Sequence, residues 1–229
     1  MFSVSPLGPK FALRIIEPFQ PPKAAEPRVN EIWAAEKLKR GDRLTNGLIY
    51  SLSDSRASEL VIQPAEYRYV LARRRSPDLV DAGLNIRPLA VTGILLCVDG
   101  LVLGRRSAQV ASDGGLWEPA PAGGLSRPDP VGQVLDELRE ELGLEPSQVA
   151  HSEVCGLVED LPSGVVDIVL RLQTSIGAKE VLNAYEALAI KEYSELAIVP
   201  PPDVGVFLKR NEEHLLPALR PMLKLAGLL

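Results

Sequence analysis

Val131-Gly132-Gln133-Val134-Leu135-Asp136-Glu137-Leu138-Arg139-Glu140-Glu141-Leu142-Gly143-Leu144 is the stretch whose reading decides the fold. At about 100° per residue, Val131, Val134, Leu135, Leu138 and Leu142 gather on one face of a helix and Glu137, Glu140 and Glu141 on another. The spacing predicts a helix over 131–142 that stops at Gly143. Carboxylates at i, i+3 and i+4 repel one another by roughly a few tenths of a kcal/mol per pair, a cost that water or a cation relieves. Hard ions such as Mg²⁺ take one or two protein carboxylates and complete their shell with water and phosphate oxygens, so this face suits phosphate chemistry. An acidic row on a helix is equally the mark of a solvated face, and the flanking sequence has to decide between the two.

Upstream, Leu89 to Val98 reads as a buried strand, Asp99-Gly100 as a tight turn and Leu101 to Arg105 as the antiparallel partner. A Gly- and Pro-rich loop follows from Ser112 to Pro130, broken only by Leu116-Trp117-Glu118 and containing Pro121-Ala122-Gly123-Gly124; a loop of that length inside a compact domain is usually functional or disordered. Downstream come strands at Glu153 to Leu157, Val165 to Leu172 and Glu195 to Val199. After Pro200-Pro201-Pro202, residues 204–229 read as one or two amphipathic helices broken at Pro217 and Pro221. Before residue 88, Phe11 to Ile16 has strand composition. The Pro18, Pro21, Pro22, Pro27 cluster reads as an extended connector, and Val29, Ile32, Trp33 and Leu38 mark a helix that closes on Arg40 and Gly41, with Trp33 in the core. Strands at Leu44 to Leu52 and Leu60 to Ile62, joined by a polar connector, and a helix from Glu66 to Arg74 complete a small α/β unit. The expected organisation is an N-terminal α/β extension over 1–87 and a second domain over 88–229.

The longest apolar run, Leu89 to Val98, is too short to span a bilayer, and Pro6, Gly8 and Pro9 interrupt the place where a secretory signal would lie. No membrane association and a cytoplasmic location are expected. With 25 Lys plus Arg against 30 Asp plus Glu, a net charge of −5 offers no footprint for nucleic acid. The two cysteines, Cys97 and Cys155, sit in apolar stretches and read as reduced core residues, and His151 and His214 lack ligand spacing.

The order of hairpin, Gly-Gly turn and acidic helix resembles the Nudix hydrolase family, whose signature G x5 E x7 R E U x E E x G U, with U aliphatic, matches at Glu137, Leu138, Glu140, Glu141, Gly143 and Leu144. The resemblance extends from about Pro88 through Gly104-Arg105-Arg106-Ser107 and Gly115-Leu116-Trp117-Glu118 to Glu192-Tyr193-Ser194-Glu195. It departs at Asp136, which stands where the family has Arg, and in the stretch from Gly124 to Asp136, which is shorter than the signature and lacks its upstream Glu. Glu31-Ile32-Trp33, Tyr67-Arg68 and the Leu103 to Ser107 strand end are similar to UDP-sugar diphosphatases of the family that carry an N-terminal extension.

The resemblance implies an α/β (α+β) mixed-sheet sandwich between helices and a metal-dependent hydrolase that cleaves a nucleoside diphosphate linked to another moiety, a UDP-sugar type substrate being favoured. It implies Mg²⁺ or Mn²⁺ held by Glu137, Glu140 and Glu141 with the Gly123 carbonyl as a further ligand. Glu159, with Asp160 beside it, is the candidate to hold or deprotonate the attacking water, an ordinary turn acid being the alternative. Arg105 and Arg106 end a strand where a guanidinium can grip a diphosphate, and neighbours on a strand face opposite ways, so at most one of them does. Trp117 either stacks on a base or packs beneath the loop. Asp136 is expected to pair with a guanidinium from outside the helix, Arg127 first and Arg106 second, or else to face solvent. A nucleotide-binding protein of the same fold with weakened catalysis is the competing function, and the N-terminal unit and Leu-rich C-terminus offer surfaces for a homodimer.

Overall fold

The computed structural model describes residues 1–8, 10–108 and 113–229; Pro9 and Ser112, the latter the expected first residue of the long loop, lie outside the described residues. Strands β1 (Phe2–Pro6) and β2 (Ala12–Ile15) precede helix α1 (Glu26–Arg40). Pro27 belongs to the first turn of α1, where a missing N–H costs nothing, so the helix begins inside the proline cluster and not after it. Val29 and Ile32 are buried, but Leu38 is 89% exposed and Trp33 only half-buried, against the expectation for both. Glu36 takes the inward position instead, held by Arg75 at 3.0 Å and Lys39 at 3.2 Å.

Strands β3 (Leu48–Arg56) and β4 (Glu59–Glu66) form a hairpin turned by Ala57 and Ser58 alone, so most of the polar stretch expected to be a connector is strand. Strand β2 adds parallel to β4, which completes a three-stranded sheet, and helix α2 (Tyr67–Arg75) follows. The next hairpin pairs β5 (Leu89–Cys97) with β6 (Gly100–Arg106); because Cys97 faces Gly100, its turn is Val98-Asp99, one residue earlier than expected. The expected loop carries two short strands, β7 (Trp117–Pro119) on β6 and β8 (Ala122–Gly124) on β5. Proline and glycine conceal such strands from a sequence reading, since both are uncommon in ladder interiors.

Helix α3 (Pro130–Leu142) starts at Asp129, whose carboxylate accepts the Gly132 N–H at 2.9 Å, and ends at Gly143 with a left-handed φ of 69°. Then come β9 (Val149–Asp160), β10 (Val166–Thr174), helix α4 (Ala178–Glu186), β11 (Tyr193–Val199), and helices α5 (Val204–Arg210) and α6 (Leu219–Leu225). Helix α4 has no counterpart in the sequence reading. Pro217 separates α5 from α6 as expected, whereas Pro221 lies in the first turn of α6 and ends nothing.

The large sheet runs β1-β9-β10-β5-β6-β11, with β10 parallel to β5 and the other pairs on that path antiparallel. Strand β1 pairs with β9, so this sheet draws on both sides of the boundary expected at 87/88. The result is the mixed α/β architecture the sequence implied, with helices on both faces. Alternation along β10 shows the layering, since Ile168 and Leu170 pack with Val134, Leu138 and Val181 on one face while Val169 packs with Leu208 and Leu219 on the other. Trp117 is buried on that second face, its ring 5.2 Å from Phe207, which settles its role as packing. Both cysteines are free thiols, and among the described residues no helix is long and apolar enough to cross a membrane.

Two leucines on two helices should therefore respond in opposite ways. Leu138→Ala, at a fully buried site, should lower unfolding free energy by about 2–5 kcal/mol in urea denaturation. Leu38→Ala should stay within about 0.5 kcal/mol of the parent.

Candidate active site

A cavity of about 450 Å³ lies against α3, bounded by β8, the start of β5 and helix α2. Glu137 and Glu141 enter it from α3, Glu118 from β7, Asp167 from β10 and Arg106 from β6. The helix geometry explains which box glutamates arrive. Taking Val134 as the centre of the buried stripe, Glu141 lies about 20° away, Glu137 about 60° and Glu140 about 120° around the helix. Burial follows that order: Glu141 is 3% exposed, Glu137 half-buried and Glu140 exposed. Glu141 thus sits at the edge of the apolar stripe and not on a separate acidic face, and Glu140 does not line the cavity.

The Glu141 carboxylate is held through Oε2, which accepts the Ala122 N–H at 2.9 Å and the Tyr193 hydroxyl at 2.8 Å. Tyr193 reaches it because Gly104 leaves room; a Cβ there would stand 2.4 Å from the tyrosine ring. Tyr185 in turn donates its hydroxyl to the Tyr193 carbonyl. Glu137 rests on Gly123, where a Cβ would approach Oε1 to 2.2 Å, and Oε1 accepts from Gln133 Nε2 at 2.8 Å. Among the described residues nothing hydrogen-bonds to Glu141 Oε1 or Glu137 Oε2.

The Gly93 N–H donates to Pro121 and the Leu125 N–H to Leu89, a ladder that puts the intervening Val91 and Gly123 in hydrogen-bonded register. The Gly123 carbonyl therefore has one lone pair engaged in the sheet and one left over.

Burial dominates the electrostatics. It pushes Glu137 up to about 7, with Glu140 and Glu192 adding repulsion and Gln133 opposing. It pushes Glu118 up to about 7 against the pull of Arg106, and Asp167 up to about 6 although Thr92 donates to it at 2.9 Å. Glu141 is raised well above the ordinary carboxylate range, again by burial. A cluster of carboxyls that hold protons this tenaciously lacks positive charge, and a divalent ion would supply it.

The other expected residues divide. Arg106 lines the cavity and pairs with Glu118, while Arg105 turns away to the Gly115 carbonyl at 3.1 Å and to Glu195 at 3.8 Å, as strand alternation requires. Glu159 is gripped by Nε and one Nη of Arg87, each at 2.8 Å, and lies outside the cavity lining; a partner 72 residues away leaves no local pattern to read. Asp136 pairs with Arg127 at 2.8 Å, the first of the two external guanidiniums expected, and Arg139 adds a weaker contact at 3.5 Å. Glu118, Asp167 and Tyr193 were not singled out. A lone carboxylate within the apolar run of β10 was the available signal for Asp167.

Among the described residues no group of three or more His, Cys, Asp or Glu is gathered closely enough to hold an ion alone. Glu137 and Glu141 nevertheless fit Mg²⁺ or Mn²⁺, which need only one or two carboxylates when phosphate and water complete the shell. Each offers an oxygen that the described residues leave unengaged.

No protein-family model and no curated protein matches the chain. Solved structures do align with it. They include RenU, a Nudix hydrolase from M. smegmatis, at 17% identity over 62% of this chain and 84% of that one, TM-score 0.43. The Nudix domain of Shewanella oneidensis NrtR, crystallised with ADP ribose, aligns at 18% identity over 66% and 96%, TM-score 0.46. The MutT protein of Methanosarcina mazei aligns at 18% over 62% and 91%, TM-score 0.44. The chemistry of the cavity rests on its own side chains.

Glu118 and Glu137 bind protons more tightly folded than unfolded, so their contribution to stability is present below pH about 4.5 and is lost as pH rises through about 7. Without divalent ions the melting temperature should fall between pH 5 and about 8, and added Mn²⁺ should raise it more at the upper end. A melting temperature that climbs over this interval in chelator would contradict the assignment.

Proposed function

We propose that this chain is a metal-dependent hydrolase of the Nudix type that cleaves the diphosphate of a nucleoside diphosphate linked to another moiety, with a nucleotide sugar the favoured substrate. The observation that carries the reading is the pair Glu137 and Glu141, fixed by Gln133, Ala122 and Tyr193 on one cavity with Arg106 opposite. In this reading Glu137 and Glu141 hold Mg²⁺ or Mn²⁺, the free lone pair of Gly123 is a further ligand, and Glu140 contributes from the helix surface. The ion would supply charge stabilisation at the phosphoryl oxygens.

The protein groups perform the remaining tasks. Arg106 is shared between Glu118 and any diphosphate that enters, since a guanidinium binds either in the same forked geometry. Glu118, which burial pushes up to about 7 against the pull of Arg106, is the carboxyl placed to exchange a proton with water while that guanidinium stays beside it. This role replaces the one expected of Glu159, whose oxygens both serve Arg87. Asp167 on the cavity wall can accept from a sugar hydroxyl, and such a buried polar group discriminates against ligands that leave it unpaired.

The exposed Glu140 and the acid at 136, already neutralised by Arg127, favour a second reading in which the cavity binds a nucleotide with little turnover.

A screen over nucleotide sugars, ADP-ribose, dinucleoside polyphosphates and coenzyme A, with and without Mg²⁺ or Mn²⁺, separates the two. Metal-dependent release of a nucleoside monophosphate is expected, and no turnover of any class would support the binding reading. Glu141→Gln keeps the shape of the side chain and should lower turnover at least about a hundredfold at unchanged melting temperature. Asp136→Arg should crowd Arg127 and leave activity equal or lower; a gain of about tenfold, roughly 1.4 kcal/mol of barrier, would mark the natural site as weakened.

A further inference from the structure

A second cavity, about 530 Å³, adjoins the first, and Ile49 and Tyr67 line both. Its remaining wall is the end of α1 and the segment after it, including Arg40, Arg43 and Thr45. Neither arginine has a hydrogen bond or ion pair with any described residue. The same is true of Arg74, which lines the first cavity from α2. The two cavities thus form a groove with opposite charge on its two sides. Carboxylates from α3, β7 and β10 occupy one wall, and unpaired guanidiniums from the N-terminal unit occupy the other.

The cationic end is built and fixed. Lys37 donates to the Leu44 carbonyl at 2.9 Å, the Tyr67 N–H donates to Gly47 at 3.1 Å, and Asn46 bonds both Glu66 at 2.5 Å and the Arg68 N–H at 3.0 Å. The acids nearest in sequence are already taken, Asp42 by Lys37 at 3.7 Å and Glu66 by Arg68 at 3.1 Å. A cation in the last turn of a helix ordinarily serves the helix dipole, as Lys37, Lys39 and Arg40 do for α1, but Arg43 lies beyond its end. With net charge −5 over the chain and only a narrow basic pocket, the arrangement suits a small anion and not a nucleic acid backbone.

We propose that the second cavity is an anion subsite for the far moiety of the substrate, so that the preferred nucleoside diphosphate derivative carries a further phosphate or carboxylate beyond the diphosphate. The proposal rests on the hydrolase reading for the occupant of the first cavity. The diphosphate lies between the carboxylate wall and Arg106, the linked moiety crosses Tyr67 and Ile49, and its terminal anion meets Arg40 and Arg43.

Matched pairs test it: UDP-glucose against UDP-glucuronate for a carboxylate, and ADP-ribose against ADP-ribose 1″-phosphate for a phosphate on the distal ribose. Each is measured by turnover with Mn²⁺ and by calorimetric binding to Glu141→Gln, with and without Arg40→Gln and Arg43→Gln. These surface changes should leave the melting temperature unaltered. In at least one pair the anionic member should bind and turn over about tenfold better, and the double change should abolish that preference through KM while the neutral member is untouched. The pair that shows the preference identifies the anion. Turnover without any preference, or a preference that survives the double change, overturns the subsite while the hydrolase stands. Arginine-dependent binding without turnover keeps the subsite and removes the hydrolase, and neither binding nor turnover removes both.

Discussion

The docking of α3 against β8 is the constraint on which the cavity depends. Val134 and Leu138 drive the helix into the large sheet, and that placement forces Glu141, about 20° around the helix from Val134, out of water. A buried carboxylate without partners costs several kcal/mol, roughly, and is tolerated only where donors meet it. Ala122 and Tyr193 are those donors, and each exacts a condition of its own. Ala122 can offer its N–H only because β8 is a strand pairing with β5, and Tyr193 can offer its hydroxyl only because position 104 has no side chain. A short strand, a glycine two strands away and the start of β11 are thus all tied to one carboxylate.

The same packing explains why the carboxyls hold their protons and why the arginines opposite do not neutralise them. Among the described residues Arg106 is the guanidinium that reaches into the acidic wall, where it meets Glu118. Arg87 and Arg127 are spent on Glu159 and Asp136 outside it, and Arg74, Arg40 and Arg43 stay on the far side of the groove. The free molecule therefore keeps a wall of buried carboxyls with raised proton affinity and, across the groove, guanidiniums without a partner among the described residues. Direct contact between them would silence both, and a ligand that brings a cation to one and anions to the other satisfies each at once.

Much of this was legible where chemistry is local. The end of α3 follows from Gly143 and the apolar spacing, and the Asp136–Arg127 pair follows from the excess of acid on the helix together with a basic residue in the short loop before it. The β5–β6 hairpin was visible in the apolar runs on either side of Asp99-Gly100. What escaped was set by long-range pairing. β7 and β8 are three residues each, too short to show a period, so Glu118 looked like a loop residue. β1 belongs to the large sheet because β9 is long enough to receive it, a fact about residues 149–160 and not about residues 2–6. Glu36 and Leu38 exchange the positions their hydropathy suggests because Arg75, from another helix, rewards the acid for turning inward.

The glutamates of α3 show most clearly where pattern ends and geometry begins. Positions i, i+3 and i+4 span about 100° of a helix, so they share a face only when that face is wide and solvated. Once the apolar stripe claims one side, the row is divided: Glu141 falls inside the packing boundary, Glu137 on it and Glu140 beyond. Identical side chains thereby acquire different burial and reach, and burial raises the proton affinity of Glu137 and Glu141. The resemblance implies one role for all three, ligation, but the angle of each to Val134 sets how far each reaches the cavity. The burial that raises Glu141 also fixes its geometry, and the exposure of Glu140 leaves it the least constrained. The site is therefore organised from the core outward, its rigid oxygen set by packing and its adaptable one by solvent.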